Sequence, residues 1–188
     1  MVIRFLLASL NIDTILAETN IHQRRQALHK VTKGLDLQDA YNKTFDRIKR
    51  QGGSKSKIGM ETLMWLSHSK RPLVSEELCH ALGVELGAED FSTQNVPLLS
   101  AVLGFTLRLV TIDERASAPH LLHFTLQEYI GQHPTLFVTA HSMMAEICLR
   151  YLNSRLVRAL PPNTENTREI APFLKYATCF WGAHAARG

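Results

Sequence analysis

Two short runs, residues 107–113 and 120–124, read as strands around a polar turn at 114–119, in a chain whose apolar spacing is otherwise mostly helical. Three short helical stretches precede them. The first, around 58–68, carries Ile58, Leu63 and Leu66 and is broken by Arg71-Pro72. The second runs over 76–82, with Ser75 as its cap, Gly83 as its stop and Glu76 and Glu77 complementing the helix dipole. Pro97 opens the third, roughly 97–106. Three short helices followed by a hairpin make a winged-helix pattern, a variant of helix-turn-helix. The expected fold is therefore mainly α: a winged helix (three helices plus a β-hairpin) flanked by helical segments.

The flanks carry helical stripes. Residues 3–16 place Ile3, Leu6, Leu7, Leu10 and Ile15 among small and polar residues. Asn20 caps a second helix, with Gln23 as its capping-box partner and a stop near Gly34. A third has Asp36 as cap and Leu37, Ala40, Tyr41, Thr44, Phe45 and Ile48 at helical period. Residues 51–57, Gln51-Gly52-Gly53-Ser54-Lys55-Ser56-Lys57, read as a linker and a domain boundary. Beyond the hairpin, Thr125 caps a helix with Glu128 at the capping-box position. After His133-Pro134 a stripe runs through Ala140, Met143, Met144, Ile147, Cys148, Tyr151 and Leu152. Pro172 suits the start of a last helix, whose Phe173, Tyr176, Ala177, Phe180, Trp181 and His184 form an aromatic stripe. That stripe needs a partner surface, either outside the chain or over 136–153.

The 188 residues are 45% hydrophobic and 20% charged, which fits one or two folded domains and argues against wholesale disorder. Apolar runs such as Phe5-Leu6-Leu7-Ala8 fall far short of the roughly 18 residues of a membrane span, and the apolar start is too brief for a signal peptide. Cys79, Cys148 and Cys179 are scattered, which points to buried thiols in a reducing, cytoplasmic setting rather than a disulfide or zinc scaffold. Charge is uneven. Residues 21–58 hold ten Lys and Arg against three Asp, a local +7, while the rest of the chain is −3 within a total of +4. Such a stretch can attract nucleic acid or anionic lipid. The plainer reading is a solvated helix face and a flexible linker, because Tyr41 and Phe45, the aromatics among these cations, fall on the apolar stripe.

The motifs point away from catalysis. Gly52-Gly53-Ser54-Lys55-Ser56 lacks the glycine spacing and the preceding strand of a phosphate loop, so ATP hydrolysis is not expected. There is no Gly-x-Ser-x-Gly elbow. His120 and His123, three apart on an expected strand, would face opposite ways and make a poor metal pair. Asn42-Lys43-Thr44 matches a glycosylation sequon by chance, inside an amphipathic helix.

Five stretches, in order, resemble one family: Phe5-Leu6-Leu7-Ala8-Ser9-Leu10, Lys70-Arg71-Pro72-Leu73, Glu76-Glu77-Leu78, Leu122-His123-Phe124-Thr125-Leu126-Gln127-Glu128-Tyr129 and Tyr176-Ala177-Thr178-Cys179-Phe180-Trp181. They are similar to the region after the nucleotide-binding core in fungal NACHT–ankyrin proteins, STAND-class signalling NTPases related to NOD-like receptors. The winged helix resembles the one catalogued under the name of GPI inositol-deacylase. The resemblance implies a helical tail of a NACHT module over 1–51, a winged helix over 56–134, and over 135–188 a helical connector preceding a repeat region. No 33-residue repeat is visible. It also implies that the chain is a fragment or truncated member, a non-catalytic regulatory piece whose partners are a NACHT core and a repeat domain. In that family a histidine at the corner occupied here by His123 contacts the β-phosphate of bound ADP, so ADP or ATP would be met only through a nucleotide core. Arg108 is a departure, since relatives often have Gly there, before the first wing strand.

The first rival is a DNA-binding winged-helix regulator; the second is a degenerate chain with no signalling role. A recognition helix presents polar or cationic side chains to the groove. The expected third helix, Pro97-Leu98-Leu99-Ser100-Ala101-Val102-Leu103-Gly104-Phe105-Thr106, holds no Lys, Arg, Asn or Gln and suits packing on protein. The wing offers Arg115, offset by Asp113 and Glu114.

Overall fold

The structure, a computed structural model, describes residues 15–16, 19–34, 37–113, 115–161 and 167–188. Among them the fold is mainly helical, with one two-stranded antiparallel sheet. The helices are α1 (Ile21–Gly34), α2 (Leu37–Arg50), α3 (Gly53–His68), α4 (Ser75–Leu82) and α5 (Leu99–Phe105). The strands β1 (Val110–Asp113) and β2 (Ala118–Leu121) follow, then α6 (Phe124–Gln132), α7 (Ala140–Leu152), the short α8 (Arg155–Arg158) and α9 (Thr167–Ile170), and α10 (Leu174–Ala185). Of the helix expected over 3–16, only Ile15 and Leu16 fall among the described residues, and both are helical. The cap Asp36 and the turn residue Glu114 lie outside them.

Asn20 caps α1 as its sequence predicts, its Oδ1 accepting the Gln23 amide at 2.8 Å. On α2 the stripe is buried as spaced, through Ala40, Tyr41, Thr44, Phe45 and Ile48. Residues 51–57 are not a linker. Gly52 and Gly53 take left-handed φ of 72° and 50°, which turns the chain sharply, and Ser54 to Lys57 already form the first turn of α3. Small polar residues on an exposed first helical turn look the same in sequence as a flexible spacer.

The α3 helix is enclosed on several sides. Leu63 belongs to one apolar cluster, with Ala40, Tyr41, Phe45 and Ile48 of α2, Leu109, Val110, and Leu126, Tyr129 and Ile130 of α6. Met64 and Trp65 belong to a second, with Leu78 and Ala81 of α4, Val102 of α5, Met144, Ile147, Cys148 and Tyr151 of α7, and Phe173, Tyr176 and Ala177 around α10. Packing thus crosses the divisions expected at 51–56 and 134–135. Buried hydroxyls bond back along the helix: Thr62 Oγ1 donates to the Ile58 carbonyl at 2.7 Å and Ser67 Oγ to that of Leu63 at 2.6 Å. The aromatic stripe of α10 finds its partner in α7 and in Trp65, whose ring meets Phe173 at 5.4 Å and Tyr176 at 5.7 Å, both edge-on.

The hairpin register pairs Val110 with Leu121 and Asp113 with Ala118. Both strands are shorter or shifted relative to the expected runs. Leu107 and Arg108 adopt left-handed φ of 48° and 68°, so the chain turns there out of α5 and cannot be extended before Leu109. The corner is therefore built with positive φ on two side-chain-bearing residues, a strain of about 1 kcal/mol each. At the tip, Asp113 Oδ1 accepts the amides of Arg115 at 2.9 Å and Ala116 at 3.3 Å, which tightens the turn and lets Ala118 and Pro119 join the strand. The tip is tied down: the Ser117 carbonyl accepts both the Ser75 amide at 3.1 Å and Ser75 Oγ at 2.7 Å. Ser75 is accordingly not the cap of α4. Val74 is, and its amide is taken by the Glu77 carboxylate at 3.1 Å.

Close approach of α5 to α3 depends on Gly59. A Cβ there would lie 2.7 Å from the Phe105 carbonyl oxygen and 3.0 Å from Ile48 Cγ2. Replacing Gly59 with Ala is expected to lower stability by about 1–3 kcal/mol, read as a lower urea midpoint, despite alanine's better helix propensity. An unchanged midpoint would mean that α5 does not seat on α3 as described.

Candidate functional site

His123 stands between β2 and α6, and it rather than Thr125 is the N-cap of α6. Its Nδ1 accepts the Thr125 amide at 3.3 Å and lies 2.9 Å from Thr125 Oγ1, which in turn meets the Tyr41 hydroxyl of α2 at 2.9 Å. An amide N–H can only donate, so the neutral ring carries its hydrogen on Nε2. Glu128 plays no capping part, because the cap lies two residues earlier than the sequence pattern suggests.

The ring lines a cleft of about 380 Å³ between the segment that links α3 to α4 and the β2–α6 corner. Lys70, Arg71 and His120 line it too, beside apolar Leu66, Pro72, Leu121 and Phe124, the last 66% exposed. His120 and His123 therefore share one cleft. Strand alternation does not separate them, because β2 ends at Leu121 and the chain has left the extended ladder by residue 123. Gln127 of α6 closes the corner by donating to the Ser67 carbonyl of α3 at 3.1 Å.

Arg71 is less available than its place suggests. Its guanidinium grips the Glu77 carboxylate at 2.7 and 2.6 Å and lies 5.2 Å from the centre of the Tyr176 ring. The bidentate bond to Glu77 raises its already high pKa. Lys70 and the two histidines line the cleft beside it, with Ser69 and Gln127, whose donors bond to backbone carbonyls of α3. Glu77 lies in the first turn of α4, as expected of a dipole complement, and is in addition a buried ion-pair partner, which its sequence position did not announce.

The outward side of α5 carries Leu98 at its start, 75% exposed, with Ser100 and Gly104. It shows no cation, and Val102 points into the core. The exposed Arg108 sits beyond its end. Cys79 and Cys148 are buried, and burial pushes their thiols up to about 11 and about 12; Cys179, expected buried, is exposed on α10. Among the described residues no His, Cys, Asp or Glu group is arranged for a metal ion, and no helix is long and apolar enough to cross a membrane.

Three further histidines, none singled out together by the sequence, converge at the other end of the 69–72 segment. His141 Nδ1 lies 2.8 Å from His184 Nδ1, and His184 Nε2 lies 2.9 Å from the Tyr176 hydroxyl. The His68 ring meets that of His141 at 5.5 Å. They come from α3, α7 and α10, so no local spacing could have joined them.

No model of a known protein family matches the chain, and neither a curated protein nor a solved structure matches it.

The cap and the cleft make separable demands on residue 123. Alanine there removes the acceptor for the Thr125 amide and is expected to cost about 1 kcal/mol in urea denaturation, whereas asparagine, a good N-cap, costs about half that or less. Equal losses for His123→Ala and His123→Asn would show that His123 does not stabilise α6 by capping.

Proposed function

We propose that the chain is a non-catalytic regulatory module of a STAND-type NACHT protein. Residues 56–134, which include three helices and a hairpin in sequence, act in this reading as a winged helix that packs against a nucleotide-binding core. The cleft observation carries it: His123 is fixed by the Thr125 amide with its hydrogen on Nε2, in a cleft that also holds Lys70 and His120. An imidazole N–H donor beside a lysine suits a phosphate oxygen. ADP on the core would hold this corner and keep the module docked; exchange for ATP would release it as a rigid body. Without a core, the chain alone has negligible affinity for ADP.

Two features favour protein contact over the rival reading as a DNA-binding regulator. The outward side of α5 offers no base-reading side chain. The hairpin tip is held on α4 by Ser75, so the wing is not free to reach a groove. Mobility of duplex DNA mixed with the chain at near-physiological salt is expected to be unchanged, and a sequence-dependent, salt-resistant shift would favour the regulator.

The decisive test uses a longer protein that carries this sequence after a nucleotide-binding core. There His123→Asn, which keeps the cap, is expected to release ADP about tenfold faster or more and to raise basal signalling. Unchanged ADP retention removes His123 as the phosphate contact.

A further inference from the structure

The groups around His184 are unusual for a protein interior. Its side chain is fully buried, at 0% exposure, yet both ring nitrogens are used. The Tyr176 hydroxyl also accepts the Lys70 amide at 3.0 Å, and Ser69 Oγ donates to the Trp65 carbonyl at 2.5 Å. One self-consistent arrangement satisfies all three contacts. Lys70 N–H donates to Tyr176, Tyr176 O–H donates to His184 Nε2, and His184 Nδ1–H donates to His141 Nδ1.

The relay tolerates extra protons poorly. A first one puts a hydrogen on both His184 nitrogens and forces the Tyr176 hydroxyl to turn away. A second places two N–H donors face to face across the 2.8 Å gap between His141 and His184. The charged surroundings add to this. His68 on α3, Lys70 in the following segment, His141 on α7 and Arg187 after α10 all oppose positive charge on His184. Cys148 on α7 and Arg71 act on Tyr176, and Arg71 is already held by Glu77 of α4. No carboxylate among the described residues acts on His184.

We infer that His184, His141 and Tyr176, with His68 edge-on beside them, form an acid-sensitive latch that holds α10 to the 69–72 segment, the wall of the His123 cleft. Three successive residues make that wall a shared part. Ser69 ties it to α3, the Lys70 amide to α10, and Arg71 to both α4 and the Tyr176 ring. When the latch opens, the wall loses its support from α10, and the Lys70 side chain that lines the cleft moves with it. The latch stands on its own geometry; its bearing on phosphate contact rests on the function proposed above.

The direction follows from burial. Burial first, then His141, Lys70, Arg187 and His68, hold the His184 imidazole down to about 4, and burial also lowers His141 and His68. A released imidazole titrates near about 6.5. The released state therefore binds protons that the latched state does not. Latching is fully supported above about pH 6.5 and weakens as the pH falls from there toward about 4.

Amide hydrogen exchange on the whole chain, without nucleotide or core, tests this. Between about pH 7.5 and about pH 5, after correction for intrinsic rates, protection over 174–185 and 69–72 is expected to fall at least about tenfold more than over 40–48 of α2, which belongs to the other cluster. The variant His141→Gln keeps a polar partner for His184 and removes one titrating ring, so its loss of protection is expected at lower pH. His184→Phe, if it folds, should show almost no pH step in α10. Parallel loss in α10 and α2, a pH-independent α10, or an unshifted profile in His141→Gln would overturn the latch. Ring NMR signals of His123 should move with the same midpoint; a His123 spectrum indifferent to the α10 step would overturn the link to the cleft. Because no ADP enters this experiment, its failure leaves the ADP-retention result untouched, and the reverse holds as well.

Discussion

The burial of α3 between two apolar clusters is the constraint on which the other elements depend. Leu63 serves one cluster and the adjacent Met64 and Trp65 the other, so a rotation of the helix that improved one side would expose the other. That fixes the azimuth of α3, and with it the direction in which the chain leaves at Ser69. The tight entry through Gly52 and Gly53 fixes its start against α2, and the bare Gly59 backbone lets α5 approach on a third side. The cleft walls are consequences of these contacts, since one begins where α3 ends and the other is tied to α3 by Gln127.

What could be read in the sequence follows from how each helix is buried. The α2 stripe was legible because one face is apolar and the other charged, which leaves a strong period. The start of α3 was not, because a helix wrapped on several sides has no single apolar face and its first turn is made of Gly, Ser and Lys. The aromatic stripe of α10 announced a need for cover, but only the fold supplied Trp65 from a distant helix. At the site, His123 was visible as a corner residue, while its capping role was masked by Thr125, a better cap by residue type two positions away. Nothing local showed that Leu107 and Arg108 would both take a left-handed backbone without glycine.

His123 caps α6, and in the function proposed above it would also face a phosphate. The cap explains why the ring is held so firmly, and would do so in a protein that never meets a phosphate. What the cap does not require is the company of Lys70 and His120, because neither bonds to the α6 terminus. Lys70 has no Asp or Glu beside it in the cleft lining, which is the setting that the proposed phosphate contact would use. The Arg71–Glu77 pair sharpens the contrast, since there a neighbouring cation is neutralised within the fold.

Lys70 links this opening to the buried histidines, through its side chain on one side and its amide on the other. The two connections differ in kind. The amide bond to Tyr176 is short-range and directional, so it transmits position; the ammonium acts on His184 through its charge, so it transmits electrostatics. An anion seated against Lys70 would offset the charge that disfavours protonation of His184, while loss of the anion would restore it. Cleft occupancy and proton affinity are then coupled by linkage, and the coupling must be equal in both directions: an anion that eases protonation of the latch is one whose own binding tightens as the latch takes up a proton. That reciprocity opposes the loss of cleft wall that follows when α10 departs. Protonation tightens anion binding in molecules whose α10 is still docked and weakens it once the populated protonated state has released α10, so the wall and the charge act in opposite senses on one cleft.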